Sequence, residues 1–111
     1  MIEIDIIQDW HAHVYFDAQS VEQARTLCEE AARRFDLQMG RVHEKPIGPH
    51  PCWSCQLAFQ LELFDKLVPW LNLNRGSIDV LVHPQTGDNL ADHRDRAIWL
   101  GHSYDLNLSI F

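Results

Sequence analysis

Histidines are the side chains best suited to chemistry in this sequence, which has seven of them in 111 residues. Imidazole is a common metal ligand and exchanges protons near neutral pH. His11 and His13 stand one residue apart in residues 10–16, a segment that alternates apolar and polar side chains as a β-strand does. Four more candidates end strand-like runs or lie in the loops beside them: His43, His50, His83 and His93. The pattern predicts a functional site, most simply a metal site.

The elements that must position these side chains follow one another as strand, helix, strand, strand, helix and strand. The predicted strands are residues 10–16, 37–42, 54–60 and 77–83, with 97–100 as a further short strand, and the predicted helices begin at Ser20 and Leu61. This order predicts an α+β fold, the ferredoxin-like split βαβ (βαββαβ) sandwich, with an antiparallel sheet in the order 4-1-3-2 and both helices on one face. Residues 1–111 are expected to form a single domain.

Strand parity in this topology predicts where the histidines meet. The fourth strand is expected to run antiparallel to the first, so that His83 lies beside His11. Parity then places His11, His13 and His83 on the sheet face without helices, where we predict that they bind a metal ion. The third strand is expected to run parallel to the first. That direction would bring His50, just before the third strand, and His43, at the end of the second, to the same edge of the sheet.

The loop before the third strand offers further candidates. His50 stands between Pro49 and Pro51, which stiffen the backbone, and it is the predicted acid/base residue. Glu44 could complete a two-histidine, one-carboxylate set, which holds non-haem iron(II) with open positions, or it could contact substrate. Arg41 is predicted to bind a substrate carboxylate through paired hydrogen bonds. Each of these two charges is equally well explained as a solvated surface group.

Two other polar clusters favour structural explanations. Cys52 and Cys55 have the C-x-x-C spacing of redox and zinc sites, but the pair leads into a strand instead of opening a helix. We therefore favour Cys55 as a buried core thiol, with a mixed zinc site that includes a loop histidine as the alternative. Asp88, Asp92, His93 and Asp95 are typical of a solvated turn with aspartate caps, although His93 could line the site.

Composition limits the classes of partner and the compartment. The formal net charge of −7 argues against nucleic acid and anionic membranes, which both need a basic surface. No run approaches the roughly 18 apolar residues of a membrane span. Residues 1–5 carry acids where a signal peptide carries bases, and three cysteines do not make a disulfide framework. We expect a cytoplasmic protein.

The sheet face without helices needs cover wherever it is apolar. Parity places Tyr15, Ala58 and Leu81 on that face. A partner subunit commonly covers such a surface, so we expect a homodimer.

Seven short blocks, spread in order over nearly the whole chain, match one known family. They are residues 10–16 (WHAHVYF), 40–44 (GRVHE), 46–51 (PIGPHP), 71–76 (LNLNRG), 83–88 (HPQTGD), 92–95 (DHRD) and 99–101 (WLG). In these blocks the chain resembles the DOPA 4,5-dioxygenase family. The resemblance implies a small, dimeric, ferredoxin-like protein that cleaves a catechol such as DOPA at an extradiol bond. It also implies iron(II), which another divalent metal could replace, and dioxygen.

Two other functional classes remain open. One is a ferredoxin-like dimer that binds a small aromatic ligand without catalysis. The other is a cofactor-independent monooxygenase of the dimeric α/β-barrel kind, which also uses histidines near a sheet face. Metal content separates both classes from the dioxygenase, because neither needs a metal ion.

Overall fold

One antiparallel sheet of five strands forms the centre of the computed structural model, which describes residues 1–111. The strands are β1 (Asp9–Phe16), β2 (Gln38–His43), β3 (Trp53–Phe59), β4 (Asp79–Gln85) and β5 (Ile98–Leu100), in the spatial order β2-β3-β1-β4-β5. The helices are α1 (Val21–Arg34), α2 (Phe64–Asn74) and the short α3 (Asn89–His93). The predicted α+β, ferredoxin-like class and the order of its four strands are confirmed.

One face of the sheet is apolar and packs against α1 and α2. Alternate strand residues and the apolar side of α1 form its fully buried centre: Ala12, Val14, Leu57, Val80 and Val82 from the strands, with Ala24, Cys28 and Ala31 from α1. Each buried valine or leucine contributes roughly 1.5–3 kcal/mol to the stability of the fold, because its apolar surface no longer contacts water. This face, called the helix face below, supplies the hydrophobic core. No helix of the fold is both long enough and apolar enough to cross a membrane.

Strand directions agree with the prediction for β4 and contradict it for β3. Strand β4 runs antiparallel to β1 and sets His83 directly opposite His11. Strand β3 is also antiparallel to β1, with Trp53 opposite Phe16, so the expected parallel direction is wrong. The physical reason is the crossover: α1 returns the chain so that β2 runs parallel to β1, and the turn after β2 then reverses β3 between them. The start of β3 therefore lies at the end of β1 that is far from His11.

The other face of the sheet is covered by two segments without long helices, the 44–52 loop and the C-terminal segment 101–111. The ring of Tyr104 packs edge-on against Tyr15 with 5.3 Å between centroids. The backbone N–H of Asn107 donates to the carbonyl of Pro49 at 2.9 Å, which ties the two segments together. Tyr15 and Leu81 are consequently 2% and 0% exposed. The chain itself covers Tyr15 and Leu81, two of the three residues for which a partner subunit was expected, while Ala58 is only half-buried. The homodimer stays a prediction.

Candidate metal centre

Three imidazoles converge on the face away from α1 and α2, called the histidine face below. One ligand nitrogen from each of His11, His13 and His83 lies within 4.8 Å of the other two. The closest pair is Nε2 of His13 and Nε2 of His83, at 3.0 Å. His13 and His83 are 5% and 1% exposed, while His11 is half-buried. The strand register alone brings these three side chains together, since His11 faces His83 and His13 follows two residues later.

The tautomer of His83 is fixed by its own strand. Its Nδ1 lies 2.9 Å from the carbonyl oxygen of Pro84. A carbonyl oxygen only accepts hydrogen bonds, so Nδ1 of His83 carries the proton and Nε2 keeps a lone pair. That lone pair points toward His13. A ring held by a backbone carbonyl through one nitrogen, with the other nitrogen free, is the usual arrangement of a metal-binding histidine.

The donor set fits a divalent transition-metal ion. Two imidazole nitrogens about 2.1 Å from one ion and at right angles to each other lie ~3.0 Å apart, the separation that His13 and His83 already have. Burial lowers the pKa of His83 to about 4, and burial with the neighbouring imidazoles lowers the pKa of His13 well below its usual range. Both rings are therefore neutral at pH 7, as metal ligands must be. Three protein ligands leave coordination positions open for other molecules.

His50 reaches the cluster by a route that the sequence did not predict. Because β3 starts at the far end of β1, the 44–52 loop must fold back over the histidine face. It brings the His50 ring to 4.1 Å from the ring of His13, centroid to centroid, with His50 only 7% exposed. Its Nδ1 lies 2.6 Å from the hydroxyl of Tyr15. Burial, with the nearby imidazoles of His93 and His43, lowers the pKa of His50 to about 4.

The structure does not bring Glu44 and Arg41 into the cluster. Glu44 is exposed, and its carboxylate lies 3.9 Å from the guanidinium of Arg25, a residue of α1. Arg41 is exposed on β2, where the pairing with β3 is irregular between Met39 and Val42. The candidate donor set is therefore three histidines, without the carboxylate of Glu44. The contribution of either charge to substrate binding stays a prediction.

Two further residues lie on the histidine face: His93, which the sequence offered as a lining residue, and Tyr15, which it did not assign to the site. The ring of His93 lies 4.0 Å from His83, and its Nδ1 donates to the carbonyl of Asn89 at 2.7 Å. Tyr15 contacts His50 through its hydroxyl. Tyr15 could have been found, because it shares the parity of His13 on β1. His93 had no such signal, since α3 is a single short turn of helix within a polar loop.

The remaining polar clusters are structural. The carboxylate of Asp92 is fully buried, and it accepts hydrogen bonds from the backbone and hydroxyl of Thr86 and from Arg96. This network closes the loop between β4 and α3. Cys55 is a buried free thiol in the core, as expected, and Cys52 is a half-buried free thiol.

Comparisons with known proteins agree on one family. The sequence model of the Dopa 4,5-dioxygenase family matches residues 10–110. The DOPA 4,5-dioxygenase of Amanita muscaria is 34% identical over 112 residues, covering 93% of this chain and 49% of the relative. An uncharacterized 21.2 kDa protein of Botryotinia fuckeliana is 40% identical over 110 residues, covering 88% of this chain and 60% of the relative. The chain thus spans about half to three-fifths of the length of these relatives.

A solved structure shares both the fold and much of the sequence. It comes from Nostoc punctiforme and is described as that of a "putative dioxygenase". The two structures superpose with a TM-score of 0.95 at 48% sequence identity, covering 97% of this chain and 94% of the other. The shared region therefore includes the strands that carry the three converging histidines.

Proposed function

Because this chain belongs to the Dopa 4,5-dioxygenase family, we propose that it is an extradiol dioxygenase that opens a catechol such as DOPA with non-haem iron(II) and dioxygen. The observation that carries the proposal is the convergence of His11, His13 and His83, whose ligand nitrogens lie within 4.8 Å of one another. Extradiol cleavage needs a metal ion with free coordination positions. Three histidine ligands would hold such an ion and leave those positions open. The family resemblance noted in the sequence is confirmed, and the iron, the substrate and the ring position are the proposal.

The three histidines would hold the ion, and the fold prepares them for that task. Bound iron(II) would supply a Lewis-acidic centre that acidifies the catechol hydroxyls and brings the catechol and dioxygen together. The carbonyl of Pro84 orients His83, and burial keeps the rings of His13 and His83 unprotonated. The 44–52 loop and the C-terminal segment 101–111 exclude bulk water from the buried rings.

Side chains around the histidines would handle the substrate. His50, next to His13, is the candidate to form a hydrogen bond with a substrate oxygen. Arg41 is proposed to pair with a carboxylate on the substrate's side chain, because a guanidinium binds carboxylates through two hydrogen bonds. Glu44, whose carboxylate lies 3.9 Å from the guanidinium of Arg25, stays a predicted substrate contact outside the metal set.

Anaerobic reconstitution with iron(II), followed by oxygen and a panel of catechols that carry a carboxylate, tests the proposal. We expect a yellow ring-opened semialdehyde, whose formation is monitored by its visible absorbance. The His13→Ala variant should form none, whereas His102→Ala, which removes a histidine with an 88% exposed side chain, should keep the activity. Iron-loaded protein that opens no catechol in the panel would contradict the enzyme assignment. Tight catechol binding without turnover would then favour the ligand-binding alternative, and turnover without metal would favour the monooxygenase.

A further inference from the structure

A single short hydrogen bond joins Tyr15 to His50 and has no part in the metal set. Tyr15 projects from β1 onto the histidine face, and its ring packs edge-on against Trp99 and Tyr104. The ring is 2% exposed, and its hydroxyl lies 2.6 Å from Nδ1 of His50. A contact of this length between a phenol and an imidazole is a strong hydrogen bond. The direction of this bond decides the chemistry that His50 can perform.

Tyr15 is the donor in this bond. A buried phenol needs an acceptor for its proton, and Nδ1 of His50 is the one polar partner of the Tyr15 hydroxyl. If His50 donated instead, the phenolic proton would be buried without an acceptor, which is costly. Nδ1 of the neutral His50 ring therefore carries no proton, and the single ring proton is on Nε2.

Nε2 of His50 keeps some contact with solvent. It makes no hydrogen bond within the protein, yet no fully buried side-chain nitrogen or oxygen lacks a partner. The atom is therefore not fully enclosed, and its ring lies 4.1 Å from that of His13, centroid to centroid. His83 and His93 are the opposite case, because carbonyl oxygens hold the proton of each ring on Nδ1. The histidine face thus contains both tautomers, each fixed by a named neighbour.

We propose that Tyr15 is a positioning residue that holds His50 as a hydrogen-bond donor, so that Nε2–H stabilises negative charge on a substrate oxygen. The inference rests on the proposed function for the identity of that oxygen, whereas the tautomer rests on the geometry alone. In this tautomer His50 has no free lone pair at Nε2 and cannot remove a proton from the substrate there. The site therefore favours a ligand with an anionic oxygen, such as a catecholate, next to His50.

Nitrogen-15 NMR of histidine-labelled, metal-free protein at pH 7.5 tests the tautomer directly. Two-bond correlations report which ring nitrogen carries the proton, and His50→Gln identifies the His50 signals. We expect Nε2–H for His50 and Nδ1–H for His83 and His93. Tyr15→Phe should give a mixture of tautomers at His50. Tyr104→Phe, which removes a hydroxyl that bonds Asp79 in the same aromatic cluster, should change nothing at His50.

Kinetics test whether the donor matters to turnover. Tyr15→Phe should lower kcat about 10- to 100-fold, as loss of an orienting hydrogen bond does, with iron content and KM unchanged. His50→Gln keeps a neutral donor and should retain roughly 10-fold more activity than His50→Ala, because glutamine can donate but cannot act as a base. Tyr104→Phe should keep the wild-type kcat.

Several results would overturn the inference. A wild-type His50 protonated on Nδ1, or a fall in kcat in Tyr15→Phe without a change in the His50 spectrum, would remove the proposed role of Tyr15. Equal losses of kcat in His50→Gln and His50→Ala would indicate that His50 acts as a base. Failure of the wild type to open any catechol would count against the dioxygenase assignment alone, since the spectra decide the tautomer without turnover.

Discussion

The two faces of the sheet are built from alternate residues of the same strands, yet they are closed and stabilised differently. Val14 lies under helices on the helix face, while its neighbour His13 lies under the 44–52 loop on the histidine face. Apolar side chains on the first face need only water exclusion. Imidazoles on the second face need fixed tautomers, which Pro84 sets for His83 and Tyr15 sets for His50. One strand thus carries the core on one side and the candidate chemistry on the other.

Substitutions at adjacent positions of β1 should have the most different effects, because the two side chains lie on opposite faces of the sheet. His13→Ala should abolish iron binding and lower any catechol cleavage by more than the roughly 10- to 100-fold loss that follows removal of a group that only orients a metal ligand. Val14→Ala should keep one iron per chain and lower the free energy of unfolding instead, by ~2 kcal/mol. Metal analysis after anaerobic loading, together with urea unfolding, checks both. Iron retained in His13→Ala would place the metal elsewhere.

The same contrast can be tested on β3. Leu57 is fully buried on the helix face, whereas Gln56 is half-buried on the histidine face, opposite His13. Leu57→Ala should cost about 2–5 kcal/mol of unfolding free energy, because it leaves a cavity in the core. Gln56→Ala should change it by about 0.5 kcal/mol or less. Similar losses in the two variants would mean that both faces contribute alike to stability.

Acid should weaken the histidine face and leave the helix face intact. The pKa values of His13, His50 and His83 are lowered by burial, to about 4 for His50 and His83, so the unfolded chain binds protons first as the pH falls. Stability is complete above pH ~6.5 and is lost between ~6.5 and ~4, on the order of 3 kcal/mol for His83 alone. Urea unfolding across this pH range measures how steeply the free energy of unfolding changes with pH. His13→Ala should flatten the slope, and an unchanged slope would contradict the assigned burial.

The smallest effect concerns the cover of the histidine face. Gly101 adopts a positive φ of 88° where the C-terminal segment 101–111 begins, and a Cβ there would collide with the carboxylate of Asp79. Gly87 has a similar φ of 96° but open space around its Cβ. Gly101→Ala should cost about 1–3 kcal/mol, more than Gly87→Ala, and speed hydrogen exchange in residues 102–111. Equal costs would show that contact with Asp79 does not hold this segment.

The regular parts of the molecule could be predicted from the sequence. Alternation along β1 and β4 indicates which residues share a face, and the opposition of His11 and His83 follows from the topology. The four-strand order, the ferredoxin-like class and the family resemblance are confirmed.

The irregular parts could not be predicted, for physical reasons. The 44–52 loop and the segment 101–111 have no repeating pattern, so nothing in their composition indicates that they fold over the histidine face. The direction of β3, by contrast, follows from the topology, because the crossover through α1 makes β2 parallel to β1 and the reversal after β2 makes β3 antiparallel to both. The partner of Glu44, Arg25, lies 19 positions away on α1, and only the fold reveals their contact.

The proposed function depends on the binding of a metal ion at the histidine face. A crystal of the wild-type protein loaded with iron(II) under anaerobic conditions, with anomalous diffraction recorded at the iron edge, locates the ion directly. We expect one anomalous peak per chain, about 2.0–2.2 Å from a ring nitrogen of each of His11, His13 and His83. No peak at these rings in iron-loaded crystals, or a peak held by other side chains, would contradict it.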